Sequence, residues 1–159
     1  MSEWFVKNAR DARWLEGELG KYTSFEDGER FPQLGININI LQPREPMTMY
    51  HREPSRQEDF LVLDGECLLI VEGEERQLRK WDLFHCPPGV AHAIVGAGEG
   101  PSIVLAVGSR MGEPGVVYPA DPVAQKHRTG VAVETSDPKE AYAGYTFPET
   151  AYKEGWLPE

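Results

Sequence analysis

Short apolar segments separated by turn residues run through the middle of the chain and limit it to a β-rich fold. Ile36, Ile38 and Ile40 alternate with two asparagines, which places three β-branched side chains on one face of a strand. Asp64-Gly65 lies between two further apolar runs and suits the positive φ angles of a hairpin turn. Many short strands at near-regular spacing predict a sandwich or a barrel. The candidate strands are 36–41, 47–53, 58–63, 66–72, 81–86, 92–95 and 102–108.

Length and charge narrow the class of protein. With 159 residues, of which 40% are hydrophobic, the chain is expected to form one domain with modest extensions. Asp and Glu number 26 against 16 Lys and Arg, for a formal net charge of −10. A negative field repels nucleic acid and anionic membrane surfaces, so we expect neither as a partner.

The remaining composition indicates a soluble protein in the cytoplasm. The first residues carry charges throughout and lack the apolar core of a signal peptide, and no apolar run approaches the ~20 residues that cross a bilayer. Cys67 and Cys86 are too few for a disulfide framework and lie in apolar surroundings. We expect both to be buried free thiols.

Three regions are predicted along the chain: an N-terminal arm over 1–32, a β-barrel over 33–110 and a C-terminal extension over 111–159. The extension should contain one short helix, because Asp137 can cap it, Pro138 suits its first position and Glu140 can complete a capping box. Its aromatic residues indicate that it packs on the barrel or on a neighbouring subunit.

Two histidines and two glutamates are candidate metal ligands. His51 and Glu53 are two residues apart on a predicted strand and therefore point the same way. Glu58 has the parity of the core-facing residues of the next strand, and His92 follows a Pro-x-Gly turn that fixes where its strand begins. A buried carboxylate without a partner is costly, so convergence of these side chains requires a cation or a proton.

Strand parity also predicts where other side chains point. His85 and Cys86 are adjacent and must point to opposite faces, so they cannot share a site, and Tyr50 should face outward. In a small barrel the core and the wall of a pocket are the same surface, so some apolar residues can contact a ligand. The candidates for that pocket wall are Met47, Met49, Phe60, Val62 and Ile94.

These residues resemble the cupins, whose two motifs read G-x5-H-x-H-x(3,4)-E-x6-G and G-x5-P-x-G-x2-H-x3-N. The resemblance covers roughly residues 33–109 and implies an all-β double-stranded β-helix, also called a jelly-roll barrel, of two packed antiparallel sheets. It further implies a metal near the wider mouth and a homodimer formed by exchange of edge strands. The matching positions are His51, Glu58 and Gly65 in the first motif and Pro87, Gly89 and His92 in the second.

The departures from the motifs leave the ligand set open. Glu45, Trp81 and Gly96 replace motif residues, and Glu53 stands where the second histidine ligand of the family usually lies. Either Glu53 ligates as a fourth residue, or it swings away and leaves the two histidines with Glu58. Both sets suit one divalent zinc, iron or manganese ion per chain, and the third alternative is a barrel without metal.

Function is expected to follow from that centre. One hypothesis is a metal-dependent enzyme acting on a small, oxygen-rich or anionic metabolite, of dioxygenase, isomerase or decarboxylase type. In it Glu53, if it is not a ligand, acts as a general base. The alternative is a non-catalytic cupin that binds a small molecule with or without metal. A purely structural role explains a buried charged group poorly.

Overall fold

Two antiparallel sheets form the framework of the computed structural model, which describes residues 3–159. Ten strands make up the sheets: β1 Arg13–Leu15, β2 Lys21–Ser24, β3 Leu34–Leu41, β4 Glu58–Asp64, β5 Glu66–Val71, β6 Glu74–Arg79, β7 Leu83–Cys86, β8 His92–Ala97, β9 Ser102–Ser109 and β10 Glu149–Thr150. The larger sheet has the order β10-β1-β2-β3-β9-β4-β7 and the smaller one β6-β5-β8. The predicted double-stranded β-helix is confirmed.

The core lies between the two sheets. Phe60, Val62 and Val104 reach it from the larger sheet, and Leu69 and Ile94 reach it from the smaller one. All five side chains are buried. Their burial from both sides holds the sheets together, because removing apolar surface from water is the main favourable term in folding.

Strand β3 turns its polar face inward. Leu41 packs in the core between the sheets, and Asn37 and Asn39 share its parity. The isoleucine face points out of the barrel, where Ile40 packs with Trp14. The alternation in the sequence therefore predicts the strand correctly, and its asparagines are the residues that line the interior.

The predicted strand 47–53 is wrong as a regular strand. Only single bridges join this segment to its neighbours, including one between His51 and His92. The backbone N–H of Tyr50 donates to the Thr129 carbonyl, and that of Met49 donates to the Tyr142 hydroxyl. Because the C-terminal extension takes these donors, they are not available for a strand ladder. The same segment still runs beside β8.

Strand β6 lies between the candidate strands 66–72 and 81–86 and was not predicted. Five of its six side chains are exposed, so no apolar alternation marks it in the sequence. Its full pairing with β5 holds it in place. Local pattern could not reveal a strand whose stability comes from its partner.

The N-terminal arm and the C-terminal extension both join the larger sheet. Strands β1 and β2 add to the edge beyond β3, and β10 pairs with β1. Trp14, which is fully buried, packs against Tyr152 and Trp156 of the extension. The extension thus packs on the barrel of its own chain.

Two short helices lie in the extension: α1 Pro122–Lys126 and α2 Pro138–Ala141. Helix α2 begins as predicted, with Asp137 accepting from the Lys139 N–H. The predicted capping box is wrong, because the Asp137 N–H donates to the Thr135 hydroxyl, and that hydroxyl in turn donates to Glu140. Helix α1, which was not predicted, covers Tyr50, so this tyrosine faces out of the barrel and is nevertheless buried. None of the helices in residues 3–159 is long and apolar enough to cross a membrane.

Candidate metal centre

Three of the four predicted ligands converge. One ligand atom from each of His51, Glu58 and His92 lies within 4.8 Å of the others. Oε2 of Glu58 is 3.3 Å from Nε2 of His51 and 3.2 Å from Nε2 of His92. Both histidines are buried, and the Glu58 side chain retains 20% of its exposure. The cluster therefore lies at the inner end of an opening to solvent.

The backbone fixes each of these side chains. His51 and His92 exchange two backbone hydrogen bonds, of 3.1 and 2.9 Å, which place their imidazoles side by side with ring centroids 4.7 Å apart. Glu58 is the first residue of β4 and is paired with Cys86 on one side and Gly108 on the other. The site therefore lies where the start of β4 in the larger sheet faces the start of β8 in the smaller one.

The backbone carbonyls determine the tautomer of both histidines. Nδ1 of His51 lies 2.7 Å from the Met49 carbonyl, and Nδ1 of His92 lies 3.1 Å from the Val90 carbonyl. A carbonyl can only accept, so each Nδ1 carries a hydrogen and donates it. In the neutral imidazoles the lone pair is then on Nε2, which is the atom aimed at Glu58. Such a backbone carbonyl behind the ring is typical of metal-binding histidines.

The buried Nε2 atom of His92 has no hydrogen-bond partner among the described residues. It is close to the Glu58 carboxylate, yet a neutral imidazole and an ionised carboxylate both present lone pairs and repel each other. Two extra protons or one cation would remove that repulsion. Two imidazoles and one carboxylate are a donor set used for divalent zinc and for non-haem iron, so the residues fit a metal ion.

The local charges favour the same arrangement. Burial alone would raise the pKa of Glu58, but the two imidazoles beside its carboxylate, His51 and His92, hold that pKa well below its usual value. Burial alone would lower the pKa of His51, but the Glu58 carboxylate raises it overall. The pocket therefore stabilises a negative charge on Glu58 and a positive charge beside it.

Glu53 lies outside the group of atoms that converge within 4.8 Å. It lines the same cavity as Glu58, and its backbone carbonyl accepts from the Gly89 N–H, which ties it to the turn before His92. Burial and the negative charge of Glu58 raise the pKa of its carboxyl. Coordination by Glu53 stays a prediction, and the geometry also leaves this carboxylate available for proton transfer.

Two adjoining cavities open next to the cluster. One, of about 200 Å³, is lined by polar and charged residues that include Arg56, Glu53 and Glu58. The other, of about 350 Å³, is lined by Met47, Tyr142 and several further residues. Asn37 lines both cavities. A small ligand therefore has room beside Glu58, and the second cavity adjoins that space at Asn37.

The five apolar residues predicted to line the pocket differ in position. Met47 lines the larger of the adjoining cavities, and the Phe60 ring lies 5.3 Å from the His92 ring. Met49 packs against residues of the C-terminal extension. Val62 and Ile94 are almost fully buried in the core between the sheets.

The alternation predicted for His85 and Cys86 is confirmed. His85 is exposed and lies 2.7 Å from Oδ1 of Asp59 on the outer face of the sheet. Cys86 is a buried free thiol whose sulfur lies 3.3 Å from Nδ1 of His92. Burial raises the pKa of this thiol to about 12, so the sulfur stays protonated and packs behind the histidine.

Sequence reasoning missed four residues around the site. Asn37 and Asn39 were visible as polar residues in a β-branched strand, which is a usable signal for an inward polar face. Tyr118 and Tyr142 come from the C-terminal extension, and the Tyr118 ring lies 5.9 Å from His51. No local pattern connects these tyrosines to histidines so far away in the chain.

Comparison with known proteins identifies the family of the barrel. The model of the cupin domain family matches residues 38–108, which include all three residues of the cluster. This segment of the chain is a cupin domain. No curated protein matches the sequence significantly.

Solved structures share the fold of this cupin. A protein from Acidithiobacillus ferrooxidans, provisionally named a sugar phosphate isomerase, is 26% identical with a TM-score of 0.50. That match covers 57% of this chain and only 56% of the other protein. A cupin-superfamily sugar phosphate isomerase from Silicibacter pomeroyi is 16% identical, covers 91% of this chain and 96% of its own, and has a TM-score of 0.54. A predicted oxalate decarboxylase from Thermotoga maritima is 16% identical over 67% of this chain and 100% of its own, with a TM-score of 0.60.

Proposed function

We propose that this cupin is a metal-dependent enzyme that isomerises a small, oxygen-rich anion. The observation that carries the proposal is the buried Nε2 of His92, which has no hydrogen-bond partner among residues 3–159 and faces Glu58 beside the Nε2 of His51. Buried polar atoms are rarely left without a partner, and a divalent cation satisfies all three ligand atoms at once.

His51, Glu58 and His92 would hold the ion, with zinc, iron or manganese as the candidates. A bound divalent ion supplies Lewis acidity, which polarises a substrate carbonyl. The histidines stay in the correct tautomer because Met49 and Val90 accept their Nδ1 hydrogens. The Phe60 and Phe84 rings, at 5.3 and 5.7 Å from the His92 ring, exclude water from its inner side.

Glu53 favours isomerisation among the reactions that such a centre can support. Its half-buried carboxylate lines the cavity of the cluster without belonging to the three converging ligands. A carboxylate with a raised pKa can remove a proton from the carbon beside a carbonyl and return it to the neighbouring carbon. That transfer needs no oxidant and releases no fragment, unlike dioxygenation and decarboxylation.

The comparisons support this substrate class. The 26% identical protein is provisionally named a sugar phosphate isomerase, and sugar phosphates are small oxygen-rich anions. The more distant structures support the fold alone.

Deuterium exchange tests the proposal across a panel of candidate substrates. The protein as purified would be incubated in D₂O with sugar phosphates and with hydroxy- and keto-acids, and proton NMR would follow exchange beside the carbonyl. We expect metal-dependent exchange in one compound class, and Glu53→Gln should slow it by about a hundredfold or more. His92→Ala should abolish it.

Two results would contradict the proposal. A protein that holds one metal ion per chain, binds compounds of the panel and exchanges none of them would be a binding cupin. Exchange that survives both chelation and the His92 substitution would place the chemistry elsewhere.

A further inference from the structure

Positive charge concentrates beside Glu58 in a protein that is otherwise strongly acidic. The cavity of about 200 Å³ next to the cluster is lined by Arg30, Arg56 and Arg110. The whole chain has only 16 Lys and Arg against 26 Asp and Glu. The same lining contains Glu53 and Glu58, so arginines outnumber carboxylates here by three to two, whereas acidic residues predominate in the whole chain. This local balance of charge favours an anion.

The three arginines are not equivalent. Arg110 is already engaged, since its Nη1 donates to the Phe31 carbonyl at 2.7 Å and its Nη2 to Glu26 at 2.6 Å. Arg30 is exposed on the rim. Arg110 is thus already hydrogen-bonded and Arg30 is solvated, so neither is the first candidate to bind a ligand. Arg56 lies deeper in the opening.

Arg56 is oriented but incompletely paired. Its Nη2 donates to the Gly112 carbonyl at 3.3 Å, which anchors one end of the guanidinium. Its Nε is buried and has no hydrogen-bond partner within residues 3–159. A buried N–H donor without a partner costs free energy, and an anionic oxygen is its strongest acceptor.

Glycine keeps the space in front of these groups open. A Cβ at Gly108 would meet only Cγ of Glu58, at 3.8 Å, so this glycine borders the space beside the carboxylate. The volume of about 200 Å³ corresponds to roughly six or seven water molecules at ~30 Å³ each. The cavity therefore takes one small anionic group with a short carbon chain.

We propose that Arg56 binds the anionic group, carboxylate or phosphate, of the substrate whose reacting end lies at the His51, Glu58 and His92 centre. The inference rests on the proposed function, because it assumes that the other end of the same molecule reacts at that centre. Arg56 is a substrate-binding residue in this account and takes no part in holding the metal.

Calorimetric titration of the protein as purified tests the inference with two probes, inorganic phosphate and malonate. We expect at least one probe to bind with one equivalent per chain, and the tighter probe identifies the group that Arg56 recognises. Arg56→Met should weaken that binding by about tenfold or more, the loss expected for one charge-assisted hydrogen bond. Arg76→Met, which removes the same charge from exposed strand β6, should change it by less than about twofold.

Arg56→Lys distinguishes a loss of binding from a folding defect. It keeps the positive charge and removes the planar guanidinium with its Nε–H donor. It should retain the thermal stability of the parent and still bind the probe several-fold more weakly. Equal affinity in the parent and both Arg56 variants, or binding of neither probe, would overturn the inference.

The measurement also separates this inference from the function on which it rests. Metal bound at one equivalent together with anion binding that ignores Arg56 refutes the inference and leaves the proposed enzyme intact. Arg56-dependent anion binding by a chain that takes up no metal supports the anion site and refutes the metal-dependent reaction.

Discussion

The two ends of the barrel contrast sharply in their polar groups. At one end, where β4 and β8 begin, three ligand atoms converge and a buried imidazole nitrogen lacks a partner in the described part of the chain. At the other end, around Cys67 and Asp82, a cavity of about 460 Å³ is more than twice as large as the one lined by Glu58. There the Cys67 thiol lies 3.3 Å from the Ser102 hydroxyl, and Asp82 accepts from the Arg79 N–H.

The difference shows that the pairing of the polar groups indicates a functional site better than the volume of the cavity does. Groups that satisfy one another stabilise the fold and need no ligand. Groups that face one another with lone pairs require something between them. Within the described residues, the end with His51, Glu58 and His92 is the one that meets this condition.

The largest effect is expected from Glu58→Gln. The amide keeps the shape of the side chain but loses the charge between the two imidazoles, so metal affinity should fall by about a hundredfold or more. Loss of a residue that only hydrogen-bonds to a metal ligand typically costs about 10- to 100-fold, which is less. Competition with a coloured chelator measures the affinity. Glu53→Gln is the matched control and should lose far less; equal losses in the two variants would place Glu53 among the ligands.

A smaller effect is expected from Tyr142→Phe, which tests how the C-terminal extension supports the site. The substitution leaves the Met49 N–H, now 3.1 Å from the tyrosine oxygen, without its acceptor. An unpaired buried N–H should lower the free energy of unfolding by about 1–2 kcal/mol. Chemical denaturation measures it, with Tyr145→Phe from the same aromatic group as control. A loss no greater than that of the control would mean that the hydrogen bond contributes nothing.

A still smaller, pH-dependent effect is expected from Glu26→Gln at the arginine-lined opening. The hydrogen bond from Arg110, which outweighs a smaller effect of burial, holds the pKa of Glu26 below its ordinary value. Ionised Glu26 therefore stabilises the native state above the unfolded pKa of about 4.3, and the gain is lost as the pH falls through the folded pKa.

The measurement is the difference in unfolding free energy between parent and variant at several pH values. It should be about 1 kcal/mol at pH 7 and shrink below about pH 4. Glu29→Gln, an exposed neighbour, serves as control. A difference that stayed constant with pH would argue against the ion pair as its source.

The smallest effect is expected at the opposite end of the barrel. Arg79→Gln changes an exposed residue that lines the large cavity there. Metal content should stay the same, and the free energy of unfolding should change by less than about 0.5 kcal/mol. Elemental analysis and denaturation measure the two quantities. Loss of metal in this variant would remove the distinction between the ends.

Much of this fold was readable from the sequence because its signals are local. Strand periodicity and the Pro87 turn depend on neighbouring residues, and the spacing of His51, Glu58 and His92 matches the cupin motifs. The hairpin turn predicted at Asp64-Gly65 is wrong, because β4 and β5 belong to different sheets and the chain only bends at Gly65 to pass from one sheet to the other. The start of helix α2 at Asp137 was readable for the same reason, since capping is a local interaction.

The features that could not be predicted depend on distant partners. Strand β6 exists through its pairing with β5, and the segment around Met49 is irregular because Tyr142 and Thr129 take its donors. The buried position of Tyr50 depends on helix α1, which covers it from far along the chain. None of these contacts leaves a periodic trace in the sequence.

Metal binding by His51, Glu58 and His92 is best tested by elemental mass spectrometry of protein purified without chelators or a metal-affinity tag. We expect about one equivalent of zinc, iron or manganese per chain, less than about a tenth of that in His92→Ala, and an unchanged value in His85→Ala, whose histidine lies on the outer face. A parent protein that holds no metal and takes up none when it is added, or a His92→Ala variant with full metal content, would contradict it.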